Sequence, residues 1–145
     1  MRVVAAQRQD DSSVAGIVEA FYSAISWKGQ VRPDKEALFA LLDNGRALFV
    51  HGGDTMDFGQ FWHFRVASWV RTAFPFHQRE ISATTTIYGR MAHRLSVYVG
   101  EMADGTAIGR GVNSFQLALD KDGWRIVSVV WEEERDDLPI PDDLV

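Results

Sequence analysis

Three observations predict an α+β fold, with three N-terminal helices packed on one face of an antiparallel sheet. Residues 13–73 carry apolar side chains at helical spacing, broken by one short apolar run. From Pro75 onward the spacing changes to alternation. The four extended segments so marked are separated by Gly89-Arg90, Asp104-Gly105 and Asp120-Lys121-Asp122-Gly123, which are hairpin turn sequences. Helices first and a meander afterwards describes a sheet covered on one side.

The first helix is expected over residues 13–27. Val14, Ile17, Val18, Phe21, Tyr22 and Ile25 fall on one face, Asp11, Ser12 and Ser13 offer caps, and Gly29 can supply a left-handed stop. A second, shorter helix starts at Pro33, whose fixed φ suits a first turn, and carries Leu38, Phe39, Leu41 and Leu42 as far as Asn44-Gly45. Ala47-Leu48-Phe49-Val50 then reads as a short strand closed by Gly52-Gly53. The third helix has the clearest period: Asp57 caps it, Phe58, Phe61, Trp62, Arg65, Val66, Trp69, Val70 and Ala73 form one stripe, and Pro75 ends it. Arg65 is the one charged member of that stripe. The strands follow at 76–88, 91–102, 107–119 and 124–134.

With 145 residues, 46% hydrophobic and 24% charged, the chain has the composition of one globular domain rather than a disordered or coiled-coil protein. The reading is a single domain over 1–145, with a core of about 12–134 and an acidic tail at 135–145. No apolar run approaches the ~18 residues of a membrane span, so no membrane partner is expected. Cysteine is absent, which excludes disulfides, a thiol nucleophile and zinc–thiolate sites. The net charge of −5 is concentrated at the end, where residues 132–145 hold seven acids and one base. A nearly neutral body ahead of an acidic tail argues against nucleic acid as a partner. The opening Met1–Ala6 is too short for a secretory leader, so a cytoplasmic location is expected.

Turn geometry sets which side chains meet, and a slip of one residue exchanges the faces. A bulged turn at Asp120–Gly123 places Asn113, Phe115, Leu117 and Leu119 with Val127, Val129 and Trp131 against the helices. A similar bulged turn adds His93, Leu95, Val97 and Val99, and a two-residue turn at Gly89-Arg90 adds Glu80, Ser82, Thr84 and Thr86. The opposite parity puts Arg94, Ser96 and Tyr98 inside. Trp124, Ile126 and Val130 then lie on the outer face, an apolar patch that suggests a homodimer packed sheet to sheet or cover by the C-terminal tail.

The helix carrying Phe21-Tyr22, the segment Ala37-Leu-Phe-Ala-Leu-Leu42, the third helix, and the strands Arg110-Gly-Val-Asn-Ser-Phe-Gln-Leu117 and Asp122-Gly-Trp-Arg-Ile-Val-Ser-Val-Val-Trp131 resemble the NTF2-like (SnoaL-like, cystatin-like cone) superfamily over residues 12–134. The resemblance implies a curved sheet around a long helix, a conical pocket between them, and frequent dimerisation through the convex face. Its members include ketosteroid isomerase, scytalone dehydratase, limonene-epoxide hydrolase, polyketide cyclases and non-catalytic proteins. The isomerase machinery needs a carboxylate base and a tyrosine–acid oxyanion hole. Here the base region reads Phe49-Val-His-Gly-Gly53, Phe21 stands nearest the tyrosine, and Asn113 or Phe115 stands in place of the acid.

His51 and His93 are the candidate catalytic bases, since a free imidazole titrates near neutrality; a strand-end histidine bonded to a loop and a satisfied core histidine are the structural readings. Arg65 and Glu80 are read as an ion pair fixing helix to sheet, or as an anion receptor with a water-orienting carboxylate. Asn113 offers a donor and an acceptor, Tyr22 a phenol, and Trp62, Phe115 and Trp131 apolar walls for a ligand. No His-x-x-x-His pair or calcium-loop pattern exists, so no metal is expected, and no phosphate loop or other cofactor site is seen. Two functions follow: binding of a small, mostly apolar, oxygen-bearing molecule with cofactor-free isomerisation, dehydration or cyclisation, or a non-catalytic ligand-sensing or partner-binding dimer.

Overall fold

In the computed structural model the backbone is described for residues 2–145 and the side chains for 12–145. Helix α1 (Arg2–Ile25) turns Val14, Val18, Phe21 and Tyr22 into the core. It begins well before residue 13, so Ser12 and Ser13 are interior positions rather than caps. Gly29, at φ 58°, lies beyond the helix end in a tight turn where Lys28 and Val31 exchange backbone hydrogen bonds. Helix α2 (Lys35–Ala40) is capped by Asp34, whose carboxylate accepts from the Ala37 amide at 3.0 Å, so Pro33 precedes the helix instead of opening it.

Strands β1 (Leu48–His51) and β2 (Asp54–Met56) form a hairpin over Gly52-Gly53, with φ of 59° and 87° as a primed turn requires. Helix α3 (Phe58–Phe61) starts on a capping box in which Asp57 and Gln60 satisfy each other's amides at 2.8 and 2.9 Å. The rod continues through a π-helical turn (Trp62–Ala67) into α4 (Ser68–Thr72). The single stripe expected here is therefore cut by one wide turn.

The long strands are β3 (His77–Tyr88), β4 (Met91–Glu101), β5 (Ala107–Asp120) and β6 (Gly123–Glu133), and the sheet order is β2-β1-β6-β5-β4-β3. The sheet is mixed, since β1 runs parallel to β6. Mutual backbone bonds from Leu41 and Asp43 to Ile126 lead the chain into that pairing, which a plain meander does not contain.

Three bulges decide the faces. Ile108 is an extra residue on β5 between the pairs Gly100↔Gly109 and Glu101↔Ala107. It reverses the parity of β4, so Ala92, Arg94, Ser96 and Tyr98 face the helices opposite Leu117, Phe115, Asn113 and Gly111. His93, Leu95, Val97 and Val99 point to the outer side, contrary to the first expectation. A second bulge at Ile81 turns Glu80 back inward opposite Tyr98, while Ser82, Thr84 and Thr86 stay outside. The third, at Val127, brings Ile126 and Trp124 inward against Leu117 and Leu119, where they are 0% and 3% exposed. The outer patch expected around Trp124 and Ile126 is thus part of the core, and of its residues only Val130 stays outside, joined there by Leu48.

The acidic end is ordered against that outer face. Arg110 makes a two-pronged ion pair with Glu134 (2.9 and 2.8 Å), whose carboxylate also accepts the Ile140 amide at 2.8 Å. Ile140 is buried, and the Ser82 hydroxyl donates to the Leu144 carbonyl near the closing 3₁₀ turn Asp142–Leu144. Val97 and Val99 pair with Ser82 and Arg110, the two anchors, and are buried although they face away from the helices.

Candidate functional site

A cavity of about 500 Å³ opens between the helical rod and the inner face of the sheet. Phe21 and Ile25 of α1, Phe61, Phe64, Val66 and Trp69 of the rod, Phe76, Val129 and Trp131 make it largely apolar. The polar lining comes from His51, Arg65, Ser68, Thr72, Gln78, Tyr98, Asn113 and Glu133. The π turn supplies Phe64, Arg65 and Val66 to this wall. Such turns carry one surplus residue and recur at functional sites because they re-aim side chains that a regular helix would keep in line.

One wall holds a connected polar group. The His51 ring lies flat on Trp131, with centroids 4.7 Å apart and planes 2° apart. Arg65 Nη1 is 2.8 Å from His51 Nδ1. A guanidinium only donates, so Nδ1 accepts, and the imidazole proton sits on Nε2, which donates to the Glu133 carboxylate at 2.7 Å. Arg65 Nη2 donates to Asp54 at 3.1 Å, and the guanidinium carbon lies 5.8 Å from the Trp131 ring centroid. Behind Trp131, Phe61 meets it edge-on at 5.7 Å and stacks on Phe49 at 4.2 Å, so the platform is backed by core aromatics.

A second network runs beneath the floor. Asn113 Nδ2 donates to Tyr22 Oη at 2.9 Å, Tyr22 Oη lies 2.7 Å from Ser96 Oγ, and Ser96 donates to Glu80 Oε2 at 2.6 Å. Arg94 grips the same carboxylate through Nε (3.1 Å) and Nη2. Burial, opposed by its bonds to Ser96 and Asn113, pushes the Tyr22 phenol up to about 12. Burial first, then the Glu133 charge, raises the Tyr98 phenol too, so both are O–H groups at neutral pH.

Of the residues singled out from sequence, His51, Arg65, Asn113 and Trp131 line the cavity together. Tyr22 and Phe115 lie one layer below it, Phe115 being fully buried edge-on to Phe21 at 5.0 Å. Trp62 lies outside the cavity and packs toward Phe58 at 6.3 Å. His93 is on the opposite face, its Nε2 2.8 Å from Ser114 Oγ, because the Ile108 bulge reverses β4. The Arg65–Glu80 pair does not form: Arg65 pairs with His51 and Asp54, and Glu80 with Arg94. Tyr98 comes in with the opposite parity of β4, and Glu133 is a cavity residue that the sequence reading does not single out. Glu133 follows Trp131 by two positions and so shares its face, but it reads as the start of the acidic tail. Among the described residues no three His, Asp or Glu side chains converge as a metal site requires.

No family model matches the chain, and no curated protein matches it. Solved structures do. A protein of unknown function with a cystatin-like fold from Nostoc punctiforme matches at TM-score 0.72 and 10% identity, over 87% of this chain and 92% of that one. An NTF2-like superfamily protein from Salmonella enterica matches at 0.70 and 16%, over 94% and 95%. A "putative dehydratase from the NTF2-like family" of Streptomyces avermitilis matches at 0.70 and 18%, over 89% and 99%. At these identities the likeness establishes the fold: the chain has the NTF2-like, cystatin-like architecture.

Proposed function

We propose that the cavity binds a small, mostly apolar, oxygen-bearing molecule and that the Glu133–His51–Arg65 cluster on its wall carries cofactor-free proton transfer. The observation that carries this reading is the imidazole held from both sides at the edge of an aromatic hollow. Glu133 fixes the tautomer and orientation, leaving Nδ1 as the lone pair directed toward Arg65. A carbonyl oxygen of the ligand competes for that guanidinium. Once Arg65 turns to the ligand, Nδ1 is free to take a proton from the adjacent carbon. The C–H pair moves into a new carbon–carbon double bond, and the carbonyl π pair moves to oxygen, where Arg65 stabilises the enolate. In a β,γ-unsaturated carbonyl the enolate extends into a dienolate, and return of the proton from His51 to the γ carbon gives isomerisation. In a β-hydroxy carbonyl the enolate pair forms the α,β double bond as the hydroxyl leaves with that proton as water, which gives dehydration. The similarity to a dehydratase-named protein agrees with this class.

A second reading, a non-catalytic ligand-sensing or partner-binding dimer, is favoured by one observation: both His51 nitrogens are already engaged in the free chain. Native mass spectrometry and crystallography of the purified protein, followed by turnover assays on any co-purified ligand, separate the two. The catalytic reading expects an apolar molecule with a carbonyl against Arg65 and loss of turnover in His51→Gln. A ligand that leaves the Arg65–His51 bond intact, with no turnover, sinks it.

A further inference from the structure

Resting on the reading of the cavity as a ligand site, we infer that Asn113 Oδ1 is a fixed hydrogen-bond acceptor in its floor. The ligand must therefore present a hydroxyl or N–H there, and the polarity is set from a distance by Glu80. The chain of donors has one direction. Both Glu80 oxygens accept from Arg94, and Oε2 also takes the Ser96 hydroxyl proton. Ser96 has one proton, so toward Tyr22 it can only accept, and the Tyr22 proton goes to Ser96. Tyr22 Oη is left with lone pairs on its other side, which must meet the Asn113 NH₂ rather than its oxygen. Turning the amide over would set two acceptors against each other in a buried site.

The amide oxygen therefore points away from Tyr22. Asn113 is 4% exposed, yet its Oδ1 takes no bond from any described residue. Among the described residues the only sealed side-chain polar atom without a partner is Trp124 Nε1, so Asn113 Oδ1 opens on the cavity that Asn113 lines. The Tyr98 hydroxyl is in the same position, a diagonal neighbour on the sheet without a bond to any described residue. It supplies a donor beside the acceptor. An alcohol can use both, whereas an ether of the same shape seals the amide oxygen without a partner. Glu80 touches no ligand and is a positioning residue.

The test titrates 2-naphthol and 2-methoxynaphthalene into the full chain at pH 7, reading quenching of the cavity tryptophans and calorimetric heat. The alcohol should bind roughly tenfold or more tighter, the usual consequence of one unmet buried acceptor. Asn113→Leu should abolish that preference while both probes still bind. Glu80→Gln puts an amide donor beside Ser96 and lets the chain run backwards, so the preference should shrink. Ser96→Ala, which leaves the Arg94–Glu80 pair untouched, should do the same and serves where Glu80→Gln fails to fold. Equal affinity of the two probes in the parent overturns the inference and leaves the apolar cavity standing. A preference unchanged in Asn113→Leu, or in the Glu80→Gln and Ser96→Ala variants, also overturns it. Binding of neither probe overturns this inference and the cavity reading together.

Discussion

The Tyr98 ring packed over Gly111 makes Gly111→Ala a sharp test. Gly111 lies opposite Tyr98, and the tyrosine ring crosses the space a β-carbon would fill. An added Cβ would fall well inside contact with the Tyr98 hydroxyl and Cζ, and 2.6 Å from Cε2. Carbon–carbon contacts sit at about 3.5–4.0 Å, so the ring must retreat by about 1 Å or more. Tyr22 stands at 6.0 Å on the packed side, which leaves the cavity as the way out. Overpacking of this kind costs about 1–3 kcal/mol. Tyr98→Ala should cost about 3 kcal/mol, the low end for a buried aromatic because one side already faces open space. In the double variant the new methyl meets no ring, and alanine is better than glycine in a strand by about 0.5–1 kcal/mol. Urea unfolding of the four proteins should give a coupling of about 1.5–4 kcal/mol in favour of the double variant. Additivity within about 0.5 kcal/mol would refute the account.

Phe49→Ala removes a ring that is 0% exposed and stacked on Phe61, and should cost about 3–5 kcal/mol in the same assay. The C-terminal strap should release in acid. Arg110, with the Ile140 amide, holds the Glu134 carboxyl down to about 2 against an ordinary 4.5. Its contribution is complete above the ordinary carboxylate range and fades as pH falls from about 4.5 to about 2. Protection of the Ile140 amide from hydrogen exchange should fade over that window, and Glu134→Gln should weaken it at pH 7; full protection at pH 2 contradicts the anchor. The dimer expected through the outer face now rests on Leu48 and Val130, which are 49% and 44% exposed. Sedimentation at micromolar concentration should show a dimer broken by Val130→Lys, and a monomeric parent removes the interface.

Element order was legible because two spacings and three turns carry it. The Asp57 cap, the Phe58–Ala73 stripe and the four strands need only local chemistry. Facing was not legible, because each bulge is a single residue whose extra count has no side-chain signature: Ile108, Ile81 and Val127 look like ordinary strand residues. Those three residues moved His93 out of the site, brought Tyr98 in, and buried Trp124 and Ile126. Strand β2 escaped notice because Asp54-Thr55-Met56 has too little apolar content to read as a strand. Arg65 stood out correctly as a charge in an apolar stripe. Its partners, His51 and Asp54, lie on strands β1 and β2, where no spacing within the helix could point.

The wide turn at Trp62–Ala67 makes the cavity wall sensitive to residue number as well as residue type. Excising the surplus residue would restore ordinary winding, and because five residues at about 100° sweep nearly the angle that six cover in the wide turn, the rod beyond would keep its facing. Trp69 and Thr72 would stay in the hollow, while the wall built by Phe64, Arg65 and Val66 within the turn would be re-aimed. A one-codon deletion here would thus act on the stretch of wall that carries Arg65 and leave the remainder of the rod in place.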